Sequence, residues 1–242
     1  QMKANVTLLL LVMASLSLSS LTKAGDNKII LENVQTGDNF NLSITQAGND
    51  NTIDCYNVNS CDIDGSNVSL HFEQWNNAGS ENKIQIWHLD GNNNSIRWGQ
   101  GAALTNSSDT TFSYDGQESG GHYARIDIHG NNNSIVGFQQ NGGGSNSGHV
   151  FNSLIWSDNN TMWLRQQGDG TKTLNITTRN DGNTLDVRQK GNNANHAASI
   201  DLRGTYPTDL TLFQRGGIDQ SYTLIQNCLT TGGCSVSVIQ GQ

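Results

Sequence analysis

Side chains able to do chemistry are scattered along this chain, and the ones that recur at fixed spacing are amides. Histidines stand at 71, 88, 122, 129, 149 and 196. None belongs to an HExxH pair, and there is no phosphate-binding glycine loop or GxSxG nucleophile turn. Asp and Glu fall mostly in turns or on outward strand positions. No spacing among them suggests the paired carboxylates of polysaccharide cleavage, and the turns lack the Asp spacing of calcium-binding repeats. His88 and His129 lie near a recurring glutamine position and read as variants of it rather than as acid/base groups. No catalytic group, metal or cofactor is expected.

The cysteines form two C-x5-C pairs, Cys55/Cys61 and Cys228/Cys234. A zinc site would need closer spacing or histidine partners. In an exported chain disulfides are the default. A bond within each pair would tie two strands across a short arc and contribute roughly 2–3 kcal/mol on a loop-entropy account. Pairing across the two sets would require the chain to fold back on itself.

The amides recur with apolar residues between them. NTIDCYN (51–57), NSIRWGQ (94–100), NSIVGFQ (133–139), NTMWLRQ (160–166) and NTLDVRQ (183–189) share one pattern. Asn51, Asn94, Asn133, Asn160 and Asn183 open it. Ile53, Ile96, Ile135, Met162 and Leu185 follow two residues later, and Cys55, Trp98, Gly137, Leu164 and Val187 two after that. Gln100, Gln139, Gln166 and Gln189 close it. Alternation of this kind is a strand signal, and alternate side chains share a face. Asn92 and Asn93 read as turn residues, whereas Asn94 has the parity of Ile96 and Gln100. A second set of strands comprises NLSITQ (41–46), NKIQIWH (82–88), ARIDIH (124–129) and TLNITT (173–178). LTLFQ (210–214), YTLIQ (222–226) and VSVIQ (236–240) follow. Gln46, Gln214, Gln226 and Gln240 extend the glutamine series.

A strand and its turn take about a dozen residues, so a two-strand coil takes roughly 22–26, a period that signals a solenoid. In such a stack, equivalent strands lie about 4.8 Å apart, and each buried amide can bond to its copy in the next coil. Amides brought inward without such partners would be costly. Residues 101–121 and 141–149 interrupt the period and read as arcs or loops bulging from the stack; 191–198 reads as a further irregular arc.

Composition agrees. Only 34% of residues are hydrophobic, against 27 Gly and 1 Pro. That is too little apolar mass for a large round core and suits an elongated fold with a thin one. The net charge of -8 gives no nucleic-acid footprint. Lys3 followed by LLLLVMASL and a small-residue boundary near Ala24 reads as a secretory signal, residues 1–24. The mature chain, 25–242, would then be one extracellular repeat domain without a membrane span.

At 41–53, NLSITQAGNDNTI resembles a curlin repeat, the unit of the amyloid fibres of bacterial biofilms. Asn41, Leu42, Ile44, Gln46, Gly48, Asn51 and Ile53 follow much of that pattern, with Asn57 in place of the last Gln. SYTLIQ and SVSVIQ fit it again. The units here carry longer insertions and cysteine-bridged arcs, and the glycine-rich leader of the major curlin is not evident after Ala24. The resemblance implies an all-β solenoid of stacked two-strand coils that assembles into cross-β fibres. Its partners would be further copies of the chain, with a nucleator or secretion pore in addition.

Apolar strand character at Ile29 and Leu31, and again at Val236 and Val238, leaves each end of the expected stack with strand edges suited to head-to-tail addition. The reading favoured is therefore a fibre subunit of a biofilm matrix or adhesive surface. The alternative is a monomeric solenoid adhesin that binds carbohydrate or ice. Its outward slots (Ser95, Arg97, Trp163, Asp186, Arg188) are too mixed for an ice-matching row.

Overall fold

The computed structural model describes residues 27–30, 38–39, 41–55, 66–76, 80–89, 91–109, 112, 119–141, 147–191 and 193–241. The expected signal segment 1–24, Leu31, Cys61 and the side chain of His88 lie outside that description, as do parts of both insertions.

Strands form where an inward side chain recurs at every second position. Among the described residues there are thirteen: β1 (Lys28–Ile30), β2 (Asn41–Gly48), β3 (Asn51–Cys55), β4 (Ser69–Asn76), β5 (Asn82–His88), β6 (Ser95–Gln100), β7 (Tyr123–Asp127), β8 (Ser134–Gln139), β9 (Lys172–Thr173), β10 (His196–Gly204), β11 (Thr208–Leu212), β12 (Gln220–Cys228) and β13 (Cys234–Val238). No helix occurs among the described residues, and so none is long and apolar enough to cross a membrane.

Every strand pairing among the described residues is parallel, and consecutive strands alternate between sheets, apart from β9 and β10, which share one. One sheet runs β1-β3-β5-β7 and the other β2-β4-β6-β8; later come β9-β10-β12 and β11-β13. Parallel neighbours require a crossover. Here the crossover is the strand of the opposite sheet. The fold is thus all-β with open parallel sheets, an order compatible with a β-solenoid-like architecture.

Between β8 and β11 the ladder thins to single bridges, Ser134↔Thr161, Thr161↔Thr184 and Thr184↔Asp209. Main-chain bonds carry the register through, as from Leu164 N to Val136 O (3.0 Å) and from Leu185 N to Thr161 O (3.0 Å). Ile155, Ile176, Val187 and Gln189 lie in the left-handed region here, which bends these segments out of regular strand geometry.

The core is a row of columns. Leu42, Leu70, Ile96 and Ile135 are in register, as are Ile44, Phe72, Trp98 and Gly137. Met162, Leu164, Leu185, Val187, Leu210 and Leu212 continue the same apolar cluster. Ile53, Ile96, Trp98, Ile135, Met162, Leu164, Leu185 and Val187 are all buried.

The two strand families are grouped differently from the sequence reading. β3, which carries Asn51, lies in the sheet of β5 and β7, and β2 joins β4, β6 and β8. Both families share one alternation, so spacing alone does not separate them. Insertion 101–121 does not simply bulge. Ala102, Leu104 and Phe112 pack with Phe138 as a second small cluster. A methyl group on Gly99 would lie 2.5 Å from the Phe112 ring, so the loop sits directly on the outward face of β6. The expected arc 191–198 is shorter than read, because β10 starts at His196.

Candidate functional site

The repeated GNNNSI stretches are turns that lead into a buried corner. Asn93 and Asn132 take φ of 59° and 56°, the left-handed conformation that asparagine tolerates better than most residues. The next residue opens the inward column. Asn133 Nδ2 donates to Asn94 Oδ1 (3.2 Å), Asn160 Nδ2 to Asn133 Oδ1 (3.0 Å) and Asn183 Nδ2 to Asn160 Oδ1 (2.9 Å). Each of these oxygens also accepts the main-chain N–H of the same partner, at 3.0 Å. The column ends when Thr208 N donates to Asn183 Oδ1 (2.9 Å). Asn92 and Asn93, read as plain turn residues, form an exposed ladder of their own. Asn92 Nδ2 donates to Asn131 Oδ1 (3.2 Å) and Asn93 Nδ2 to Asn132 Oδ1 (3.2 Å).

Asn51 is not in this column. It bonds Asn27 through its main-chain N–H (2.9 Å) and its Nδ2 (3.1 Å), at the corner where the other sheet begins. That corner continues through residues the sequence reading did not single out. His122 N donates to Asn82 Oδ1 (3.0 Å), His149 N to His122 Nδ1 (3.0 Å) and Lys172 N to His149 Nδ1 (3.2 Å). The available signal was parity: each of these residues stands two before an inward residue, as His122 does before Ala124. His129, expected at the glutamine position, instead lies edge-on to Trp156 with ring centroids 5.4 Å apart.

The glutamine column forms the third corner. Gln74, also unforeseen, donates to Gln46 Oε1 (2.8 Å), Gln100 to Gln139 (3.0 Å), Gln189 to Gln166 and Gln214 to Gln189. Their amides also reach the facing strand, as Gln166 Nε2 does to Val150 O (2.7 Å) and Gln214 Nε2 to Ala197 O (2.7 Å). Gln240 follows β13, the parallel neighbour of β11, and lies beside Gln214, where Arg215 N donates to Gln240 O (3.0 Å). Gln226 departs from the expectation: it sits in β12 beside Leu202 of β10. In that sheet the third inward slot is apolar, so no amide partner stands there.

Cys228 and Cys234 are bonded, with Cα atoms 5.8 Å apart, and tie β12 to β13. Cys55 is disulfide-bonded as well and packs against the main core.

Among the described residues β1 and β2 each have one strand neighbour, as do β12 and β13, so the described sheets are open at both ends. Inward residues there are only partly buried: Ile29 on β1, and Leu42, Ile44, Tyr222, Leu224, Val236 and Val238 against the core. Outward Ile225 and Ile239 are 68% and 72% exposed, while Gln240 Oε1 is buried without a partner. Trp163, read as an exposed outward aromatic, packs against the second cluster with Arg165 4.2 Å above its ring. Trp156 is the exposed tryptophan, at 51%.

No group of three or more His, Cys, Asp or Glu among the described residues could hold a metal ion. Outward Asp127 and Asp201 are paired with Arg125 (2.5 Å) and Arg203 (2.5 Å). Comparison of the chain with protein families, with curated proteins and with solved structures returns no match.

Proposed function

We propose that the chain is a structural subunit of an extracellular curli-like fibre, a β-solenoid that polymerises by stacking its end coils on those of other copies. The observation that carries this reading is the pair of open ends. Each presents two parallel strand edges with half-buried apolar stripes, and such edges template further pairing. Their chemistry is matched. Val236 and Val238 of one copy would fall on Leu42 and Ile44 of the next, and Gln240 on Gln46, continuing columns already built inside the molecule. A contact between unlike ends does not close on itself and so extends into a filament. Export rests on the Lys3 and LLLLVMASL segment, and the curlin assignment on NLSITQAGNDNTI and its later echoes.

Negative-stain imaging of the protein lacking residues 1–24 should show unbranched fibres, with a fibre-diffraction reflection near about 4.8 Å along the fibre axis. A protein that stays monomeric by sedimentation at high concentration, with no fibres, would sink this reading. A carbohydrate-binding adhesin is favoured by one observation: exposed Trp156, with His129 edge-on and the Arg179 guanidinium 5.7 Å from its ring. Sugar-dependent quenching of Trp156 fluorescence in a monomeric protein would select it.

A further inference from the structure

The corner that begins β7 differs from the corner that begins β8 in one respect: its acceptors are imidazoles. His122 and His149 are 1% and 0% exposed, with ring centroids 5.0 Å apart. In each ring Nδ1 accepts a main-chain N–H from the next coil, from His149 and from Lys172. The ring proton therefore sits on Nε2. In His122 it faces Ser119 Oγ (2.7 Å), and in His149 it is donated to Gln140 O (2.7 Å). Both rings are held as one neutral tautomer with no free nitrogen.

We propose that His122 and His149 form an acid-opened seam. Protonation at Nδ1 replaces an acceptor by a donor facing a main-chain N–H, so two bonds between successive coils are lost at one corner. The corner at Asn133, Asn160 and Asn183 has no titrating acceptor and holds. Acid would then splay the coils about the asparagine column, at the place where the ladder between β8 and β11 thins to single bridges. This inference does not depend on the fibre reading.

The charged neighbours act in the same direction. Among the described residues no carboxylate is a hydrogen-bond partner of either ring. The titratable groups that act on them are each other and Lys172, which in turn interacts with His196, Asp169 and Asp219. Burial, with His149 adding to it, holds His122 well below the usual imidazole range. Burial draws His149 to about 3, opposed by its bond to Gln140 and aided by Lys172. A histidine depressed in the fold contributes stability that is full above the unfolded value and lost as pH falls toward the folded one. For His149 that window runs from 6.5 down to about 3.

Hydrogen exchange on the full chain tests the seam, comparing pH 7 with about pH 4.5 after correction for intrinsic rates. A ring drawn from 6.5 to about 3 raises its opening equilibrium on the order of 100-fold at about pH 4.5. The amides of His149 and Lys172 should gain about that much, while those of Asn160 and Asn183 change less than about tenfold. Equal gains at all four amides, or none at His149 and Lys172, would overturn the proposal. A His122→Asn/His149→Asn variant supplies the acceptor that Asn27 and Asn82 use in the same column. If folded at pH 7, it should lose the acid-induced gain; keeping it would also count against the seam. Should that variant not fold, the wild-type exchange pattern decides alone.

Discussion

Asn133 Oδ1 accepts two hydrogens from Asn160, one from its main-chain N–H and one from its side-chain Nδ2, each at 3.0 Å. One side chain thereby replaces a strand ladder bond and a side-chain bond together. Burying a primary amide is unfavourable unless its donors and acceptor are all engaged. Repetition satisfies this, because from Asn94 to Asn183 each repeat brings an identical group at the height its neighbour requires.

The two asparagines before Asn94 provide the contrast. Asn133→Ala leaves the Asn160 main-chain N–H buried without an acceptor, while Asn160 Nδ2 keeps Ser157 Oγ and Asp158 O, and should destabilise the protein by about 1–3 kcal/mol. Asn92→Ala removes an exposed bond and should cost within about 0.5 kcal/mol. Urea denaturation of both variants measures the difference. Equal losses would mean that burial does not distinguish the ladders.

Trp98 and Gly137 occupy the same slot in adjacent coils. A methyl group on Gly137 would meet the Trp98 ring at 3.0 Å and Leu164 Cβ at 3.2 Å, while Trp98 stacks on Phe151 at 4.4 Å. The indole takes up space that a side chain at 137 would need. Gly137→Val should therefore destabilise by about 1–3 kcal/mol through overpacking. A Gly137→Val/Trp98→Leu double variant should recover part of that loss, and the thermal midpoints of the set would reveal the coupling. Additive effects would argue against a shared slot.

Strand content, inward parity and the buried apolar set were legible in the sequence, because alternation writes burial directly into spacing. Assignment of strands to sheets was not. Asn51 and Asn94 have the same parity and similar neighbours, yet open different corners. What separates them is which strand each is stacked on, a relation set by main-chain pairing. The histidine corner escaped for a related reason. His122, His149 and Lys172 hold the asparagine slot without resembling asparagine, and their shared task, accepting or donating at the main chain, leaves no residue-type signature. Insertion 101–121 was visible as an interruption, but the seating of Phe112 on Gly99 depends on a missing side chain, which periodicity does not announce.

Gln189 and Gln226 look equivalent in sequence and differ in place. Gln189 donates to Gln166 Oε1 and to Thr173 O (2.7 Å), whereas Gln226 stands beside Leu202. Gln189→Leu should cost about 1–3 kcal/mol. Gln226→Leu should be neutral or stabilising, since its neighbour in register is apolar. Guanidinium titrations of the two variants would settle the ordering; a larger loss at Gln226 would contradict the register.

Cys228–Cys234 closes a short arc between β12 and β13. Removing it as Cys228→Ala/Cys234→Ala should lower stability by about 2–3 kcal/mol. The loss should appear first as faster hydrogen exchange in β12 and β13, because among the described residues each has one strand neighbour only. Uniformly faster exchange along the chain would show that the bond acts on the whole fold instead.

Lys172 is fully buried, with Nζ donating to the carbonyls of Asp169, Gly170 (3.2 Å) and Ala194 (2.7 Å). Three acceptors account for the three ammonium hydrogens, so the side chain acts as a cationic stitch between two turns. Burial draws its pKa from 10.5 to about 8, with Asp169 and Asp219 opposing. The ammonium is thus retained at neutral pH but held less firmly than in the unfolded chain. The unfolded state binds the extra proton between these two values, so this group's contribution to stability rises with pH from about 8 to 10.5 and is flat below. Lys172→Met should remove that slope and, at pH 7, cost about 2–4 kcal/mol by leaving the carbonyls without a donor. Denaturation midpoints of both proteins from pH 7 to 10 provide the comparison. An unchanged slope in the variant would place the titration elsewhere, and an unchanged midpoint at pH 7 would mean that water replaces the ammonium.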